Sequence, residues 1–175
     1  YHRFIYGKID LFLVITKKLY NEACKYLPLK KSIIHVLSYG ICKPDYKLSI
    51  NKKAFFNKYN MESSTFSIGV FSRIEEQKGQ HLLIEAIRQS KHKIQLFIVG
   101  HCMDEKYKNK LKNISSEYNL SSHICFTGFL QSPMNYMPFF NLVVLPTYEE
   151  TFGLVVAEAM LMKVPVLGSN AGGVP

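Results

Sequence analysis

A chain of 175 residues, 47% hydrophobic and 20% charged, carries enough apolar surface to bury a core, which excludes a disordered segment and fits one α/β domain plus an appendage better than two complete domains. Its net charge of +9 is uneven: residues 1–60 hold 12 Lys/Arg against three acids, whereas residues 61–175 hold ten of each. Clustered lysines either draw an anionic partner, such as a lipid surface or a polyphosphate, or simply solvate a face; no nucleic-acid-binding motif accompanies them, which argues against nucleic acid.

Tyr1 opens into aromatic and basic residues with neither the apolar stretch nor the cleavage site of a signal peptide, so the chain is expected to be a piece of a longer protein. The apolar run at residues 11–15 falls far short of the roughly 20 residues that cross a bilayer. Cys24, Cys42, Cys102 and Cys125 are scattered, without the close pairs of zinc or redox sites; buried free thiols and a reducing, cytoplasmic setting are the expectation.

In chain order, residues 9–16 read as a buried strand and Lys17–Tyr26 as a helix that Pro28 ends. A second strand follows at residues 33–37, then a turn at Ser38-Tyr39-Gly40. Pro44 and Asp45 begin an irregular connector that runs into the basic, helical residues 51–58. From Phe66 strand and helix alternate: strand Phe66–Phe71, helix 79–89, strand Ile94–Val99, helix 104–118, strand 123–126, a short helix near Pro133–Phe139, strand Leu142–Leu145, helix 152–163 and strand 164–168. Leu82, Leu83, Ala86 and Ile87 form one helical stripe, and Tyr107, Leu111, Ile114 and Tyr118 another. Continuous apolar strands between amphipathic helices predict an α/β fold, a Rossmann-like parallel sheet with helices on both faces. Ligands of such a sheet bind outside the carboxyl ends of its strands, so chemistry is sought in the loops after Phe71, Val99, Phe126, Leu145 and Gly168.

Two of those loops carry it. Ser72 to Gly79 holds Arg73 and Lys78 just before a helix start, either as an anion site or as a solvated turn in which the cations pair with Glu75 and Glu76. Pro146-Thr147-Tyr148-Glu149-Glu150-Thr151-Phe152-Gly153 leads into a helix bearing Glu158; the amides of Phe152, Gly153 and Leu154 would be open donors at its start, and Gly153 lets a phosphate approach. Glu150 and Glu158 then bracket the phosphate seat, acceptors suited to hydroxyl-rich groups, or else serve as a helix-dipole partner and an ordinary surface acid. The glycines of the final loop, Gly172 and Gly173, let backbone approach a ligand closely; Gly100 and Gly128 suit tight turns. The six histidines show no metal spacing.

Phe71-Ser72-Arg73 through Lys78-Gly79, then Phe126-Thr127-Gly128, then Pro146 through Glu150-Thr151-Phe152-Gly153-Leu154 to Glu158-Ala159-Met160, and finally Gly172-Gly173-Val174-Pro175 resemble, in this order, the C-terminal domain of family 4 glycosyltransferases, the group-1 type of retaining enzyme with a GT-B fold. The resemblance covers about residues 64–175. It implies that Arg73 and Lys78 bind the donor diphosphate and stabilise the charge growing on it, and that Glu150 holds the hydroxyls of the transferred sugar. It implies too that Glu158 holds the ribose, and that Thr151, Phe152, Gly153, Leu154 and Gly128 complete the donor site. Implied with these are a UDP-, GDP- or ADP-hexose donor, a lipid-linked or polysaccharide acceptor, retention by front-side attack, and no metal or other cofactor.

By the same resemblance, residues 1–48 are the end of an N-terminal acceptor domain and its connector, with Ser38-Tyr39-Gly40-Ile41 similar to an Asn-Gly-Ile/Val turn, and residues 49–175 are the donor domain, truncated before its closing helix. Asn141 stands where the family usually has Asp, and a structural role is expected of it. The piece alone is expected to be inactive. The whole protein is expected in the cytoplasm, with peripheral contact to an anionic inner membrane face. The alternatives are a non-catalytic nucleotide-sugar-binding module and a related phosphorylase or epimerase; a nicotinamide dehydrogenase is set aside because no strand leads into G-x-G-x-x-G.

Overall fold

Strand β3 (Phe66–Phe71) buries every residue but its first, the pattern required of a strand covered on both faces. Around it the computed structural model, which describes residues 6–42, 44 and 49–175, builds a five-stranded sheet with β4 (Ile94–Val99), β5 (Ile124–Gly128), β6 (Leu142–Leu145) and β7 (Val166–Gly168). The strand order is β5-β4-β3-β6-β7 and every pairing is parallel. The chain thus winds outward from β3 in one direction, then returns to its other side at β6. This reversal leaves a crevice between the carboxyl ends of β3 and β6, the place where an open parallel sheet takes its ligand.

Alternation along the strands divides the core in two. Ile68, Val70, Leu96 and Ile98 pack with Ile84 and Ile87 of α3 (Gln80–Gln89, the third helix in the chain) and with Tyr107 and Leu111 of α4 (Glu105–Glu117). On the opposite face Phe71, Phe97 and Val143 meet Phe55 and Phe56 of α2 (Lys52–Lys58), Met137 of the 3₁₀ helix Pro133–Phe139, and Ala159 of α5 (Leu154–Leu161). Asn141 carries the structural role expected of it: its Oδ1 accepts from the Ser67 amide at 2.9 Å and hydroxyl at 3.1 Å, tying the entry of β6 to β3.

A second, two-stranded parallel sheet pairs β1 (Phe12–Val14) with β2 (Ile34–Val36), crossed by α1 (Lys17–Tyr26), around the small cluster Val14, Ala23 and Ile34. Thr16 caps α1 by accepting from the Leu19 amide at 3.2 Å.

Several expectations are corrected. The first strand is three residues rather than residues 9–16, because its pairing partner β2 is equally short. The helix expected at 152–163 begins only at Leu154, since Gly153 adopts left-handed backbone (φ 82°). The strand expected at 164–168 begins at Val166, and β5 runs on to Gly128. On α3 the buried stripe is Gln80, Ile84 and Ile87, at i, i+4 and i+7, whereas Leu82 and Ala86 are exposed. All four cysteines are free, but only Cys125 is buried, its thiol pushed up to about 12 by burial, and Cys42 is exposed. Most of the predicted connector between Cys42 and Ile50 lies outside the described residues. None of the described helices is long and apolar enough to cross a membrane.

Candidate functional site

The loops after β3 and β6 meet over the crevice. After β3 the chain forms a 3₁₀ turn, Glu76–Lys78, that ends at Gly79 in left-handed backbone (φ 67°). A β-carbon on Gly79 would collide with the Pro146 carbonyl, so glycine is what lets α3 start hard against the second loop. The Tyr148 amide donates to the Gln77 carbonyl at 2.9 Å, and the Gln77 side chain donates to Glu149 at 3.0 Å.

At the centre, Lys78 Nζ lies 3.0 Å from Glu150 Oε2, with both side chains largely buried. Burial alone would raise the Glu150 pKa; the Lys78 hydrogen bond and charge, with the amides of Thr151 (3.0 Å to Oε1) and Phe152, outweigh it and hold the carboxyl below its ordinary value. The open amides are those of the first turn of α5, which no side chain caps. Gly153 sits at that helix end as expected.

Glu158, on the second turn of α5, is half-buried and has no side-chain partner among the described residues; burial raises its pKa. Arg73 is brought to the same loop as Lys78 but not to Glu150: its Nη2 lies 2.9 Å from Glu75 Oε1 and its side chain is 57% exposed, so it is free to exchange partners. Glu76, the other acid of that turn, pairs with Lys110 at 2.8 Å and not with Lys78.

The glycine-rich loop after β7 approaches the protein's own backbone. Gly172 (φ 57°) lies so close to Glu150 that any β-carbon would strike its carbonyl oxygen, and the Gly173 amide donates to that same oxygen at 2.8 Å. Three loops thus hold Glu150 in place. Gly173 also abuts Thr16, closing one side of a polar cleft of about 240 Å³ lined by Lys18, Glu22, Glu149, Glu150 and Thr151 among others. A larger groove, about 400 Å³, runs between β1 and α1, but its lining is almost wholly apolar and offers nothing to a phosphate.

Gly128 lies at the carboxyl end of β5, and beside it Phe129 stacks on His101 (4.5 Å, 15°) with Phe129 60% exposed. Neither Phe129 nor His101 was singled out from sequence; an aromatic following the strand-end Thr-Gly was the available signal. Gln80 was missed as well: fully buried, it donates to Ser72 Oγ at 3.0 Å and to the Arg73 carbonyl at 2.7 Å, fixing the cationic loop from below.

A family model for glycosyl transferases group 1 matches residues 51–175, the five-stranded unit with both loops. The chain belongs to the group 1 glycosyltransferases. It is 29% identical over 160 residues to the O-antigen biosynthesis glycosyltransferase WclY of Escherichia coli, covering 90% of this chain and 43% of that one. Two solved structures share the architecture. Anabaena Alr3699/HepE, solved in complex with UDP and glucose, aligns with a TM-score of 0.85 at 24% identity, over 98% of this chain and 47% of that chain. A glycosyltransferase from Rickettsia africae aligns with a TM-score of 0.88 at 20% identity, over 98% and 48%. This group 1 chain therefore spans less than half the length of the relatives it matches, and its sheet has the architecture of the C-terminal half of a GT-B fold.

Proposed function

We propose that the whole protein is a retaining glycosyltransferase that moves a hexose from a nucleoside diphosphate sugar to a lipid-linked or polysaccharide acceptor. The observation that carries this reading is the largely buried Lys78–Glu150 pair at the uncapped end of α5, with Glu158 unpartnered among the described residues on the next turn. A pyrophosphate seated on the first-turn amides meets Lys78 from one side, and Arg73 reaches it by releasing Glu75. As the glycosidic bond breaks, negative charge grows on the leaving diphosphate, and these fixed cations and amides stabilise it without a cofactor. Glu150 accepts hydrogen bonds from the sugar hydroxyls, Glu158 from the ribose, and the base lies toward Gly128 and the exposed face of Phe129.

In this reading residues 1–48 are the end of the acceptor domain and its connector, α1 walls the cleft beside Glu150, and the N-terminal lysines meet an anionic membrane face where a lipid-linked acceptor resides. The O-antigen role of WclY and the UDP and glucose bound by HepE support the donor and acceptor classes. Calorimetric titration of the whole protein with UDP, GDP and ADP tests it. One nucleotide binds in the micromolar to millimolar range, and Lys78→Ala weakens it at least about tenfold, or about 1.4 kcal/mol. Equal binding by Lys78→Ala would refute the placement of the diphosphate.

A further inference from the structure

The acidic loop is held from beneath by a residue that none of the motifs contains. His81, on the first turn of α3 three residues beyond Lys78, stands between two tyrosines from different elements. Its Nδ1 lies 2.8 Å from the hydroxyl of Tyr107 on α4, and its Nε2 lies 3.0 Å from the hydroxyl of Tyr148, two residues before Glu150. The His81 and Tyr148 rings also stack at 5.9 Å and 28°.

The donor and acceptor roles follow from Tyr107. Its hydroxyl oxygen accepts from the His81 backbone N–H at 3.2 Å, which leaves its own proton to go to Nδ1. Burial pushes the Tyr107 pKa up to about 12, so this hydroxyl keeps its proton under all working conditions. The ring is then neutral, with its proton on Nε2 donated to Tyr148. Four titratable groups face it: Tyr107 and Lys110 from α4, Glu76 from the 3₁₀ turn, and Tyr148 from the loop after β6. Burial and the Lys110 charge hold the imidazole below its ordinary 6.5, Glu76 opposing them more weakly.

We infer that His81 is a positioning residue of the transfer reaction: through the Tyr148 hydroxyl it holds the loop whose next residues, Glu149 and Glu150, face the donor, while it touches no substrate itself. The inference rests on the reading of Lys78 and Glu150 as the donor site. Protonating the ring puts a hydrogen on Nδ1 and strands the Tyr107 proton in a buried position, while Nε2 keeps the hydrogen it gives to Tyr148. The fold favours the neutral form, so the contact with Tyr107 is the pH-sensitive one, and it weakens only as pH falls through the lowered imidazole pKa.

The test uses the whole protein and three variants, Tyr148→Phe, His81→Ala and His81→Gln. Tyr148→Phe deletes one hydroxyl from an exposed ring and leaves the core untouched, so it folds. Without nucleotide, amide hydrogen exchange at residues 148–151 is expected to quicken at least about threefold in Tyr148→Phe and His81→Ala, the scale of one neutral hydrogen bond. His81→Gln, whose amide reaches the place of Nε2 and cannot titrate, restores the protection. In turnover, Tyr148→Phe raises the donor KM about 3- to 10-fold and changes kcat less than about twofold, since a pre-ordered loop acts on binding. Unchanged exchange in Tyr148→Phe overturns the clamp whatever the nucleotide does. Changed exchange in a protein that binds none of UDP, GDP and ADP upholds the clamp and overturns the donor reading instead.

Discussion

Glu158 illustrates how a single half-buried residue can cost the fold stability. Burial raises its pKa and no side chain among the described residues compensates, so the fold resists its charge. A carboxyl whose folded pKa lies above its unfolded one stabilises the fold only at low pH and loses that contribution as pH rises. Glu158→Gln is therefore expected to raise Tm at pH 7.5, on the scale of about 2–4 °C per kcal/mol for a domain this size, and to show a shrinking gain as pH drops through the carboxylate range. Thermal melts at pH 4 and 7.5 check it; a variant less stable than the parent at pH 7.5 would contradict the burial argument. Lys78 could be singled out in the sequence as a cation just before a helix start, and Glu150 because Phe152-Gly153 sits within the paired-glutamate spacing, but their mutual contact could not: Glu75 and Glu76 lie nearer Lys78 along the chain. The packing of the two loops decided it, sending Glu75 to Arg73, Glu76 to Lys110 and Glu150 to Lys78.

Among elements, the loop after β7 shows most plainly why glycine was needed where it stands. Gly172 combines left-handed backbone with direct contact on the Glu150 carbonyl. Gly172→Ala faces a conformational cost of roughly 1–2 kcal/mol and a collision that moves Glu150 off Lys78. It is expected to lose nucleotide binding more than about tenfold as well as to lower Tm, measured by titration and melting on the same sample. The helix α3 was legible as a helix but its buried face was not. Leu82 and Leu83 pulled the predicted stripe round, whereas the polar Gln80 is buried because it secures Ser72 and Arg73, a demand that hydrophobic periodicity does not register. The start of α5 was placed two residues early for a related reason, the left-handed backbone of Gly153.

For the whole molecule, the chain spans 43% of WclY and 47% of HepE, and the polar cleft beside Glu150 has one wall from α1. On the proposed reading, residues 1–175 by themselves are expected to bind the same nucleotide as the whole protein within about tenfold but to transfer no sugar, since they span less than half the length of the relatives they match. Radiolabelled transfer alongside calorimetry separates the two properties, and turnover by the piece alone would show that α1 and β1 suffice as the acceptor wall. The alternation of apolar strands with amphipathic helices determined by itself that a parallel sheet forms with helices on both faces, because covering such a strand requires apolar residues at nearly every position. Spacing also drew attention to the loops after β3 and β6, which the structure brings together over the crevice. Only the tertiary structure decided which charges meet, that Gly172 and Gly173 serve the Glu150 backbone, and that His81 links α4 to the acidic loop. Those outcomes depend on distances between segments some 70 residues apart, which local periodicity does not encode.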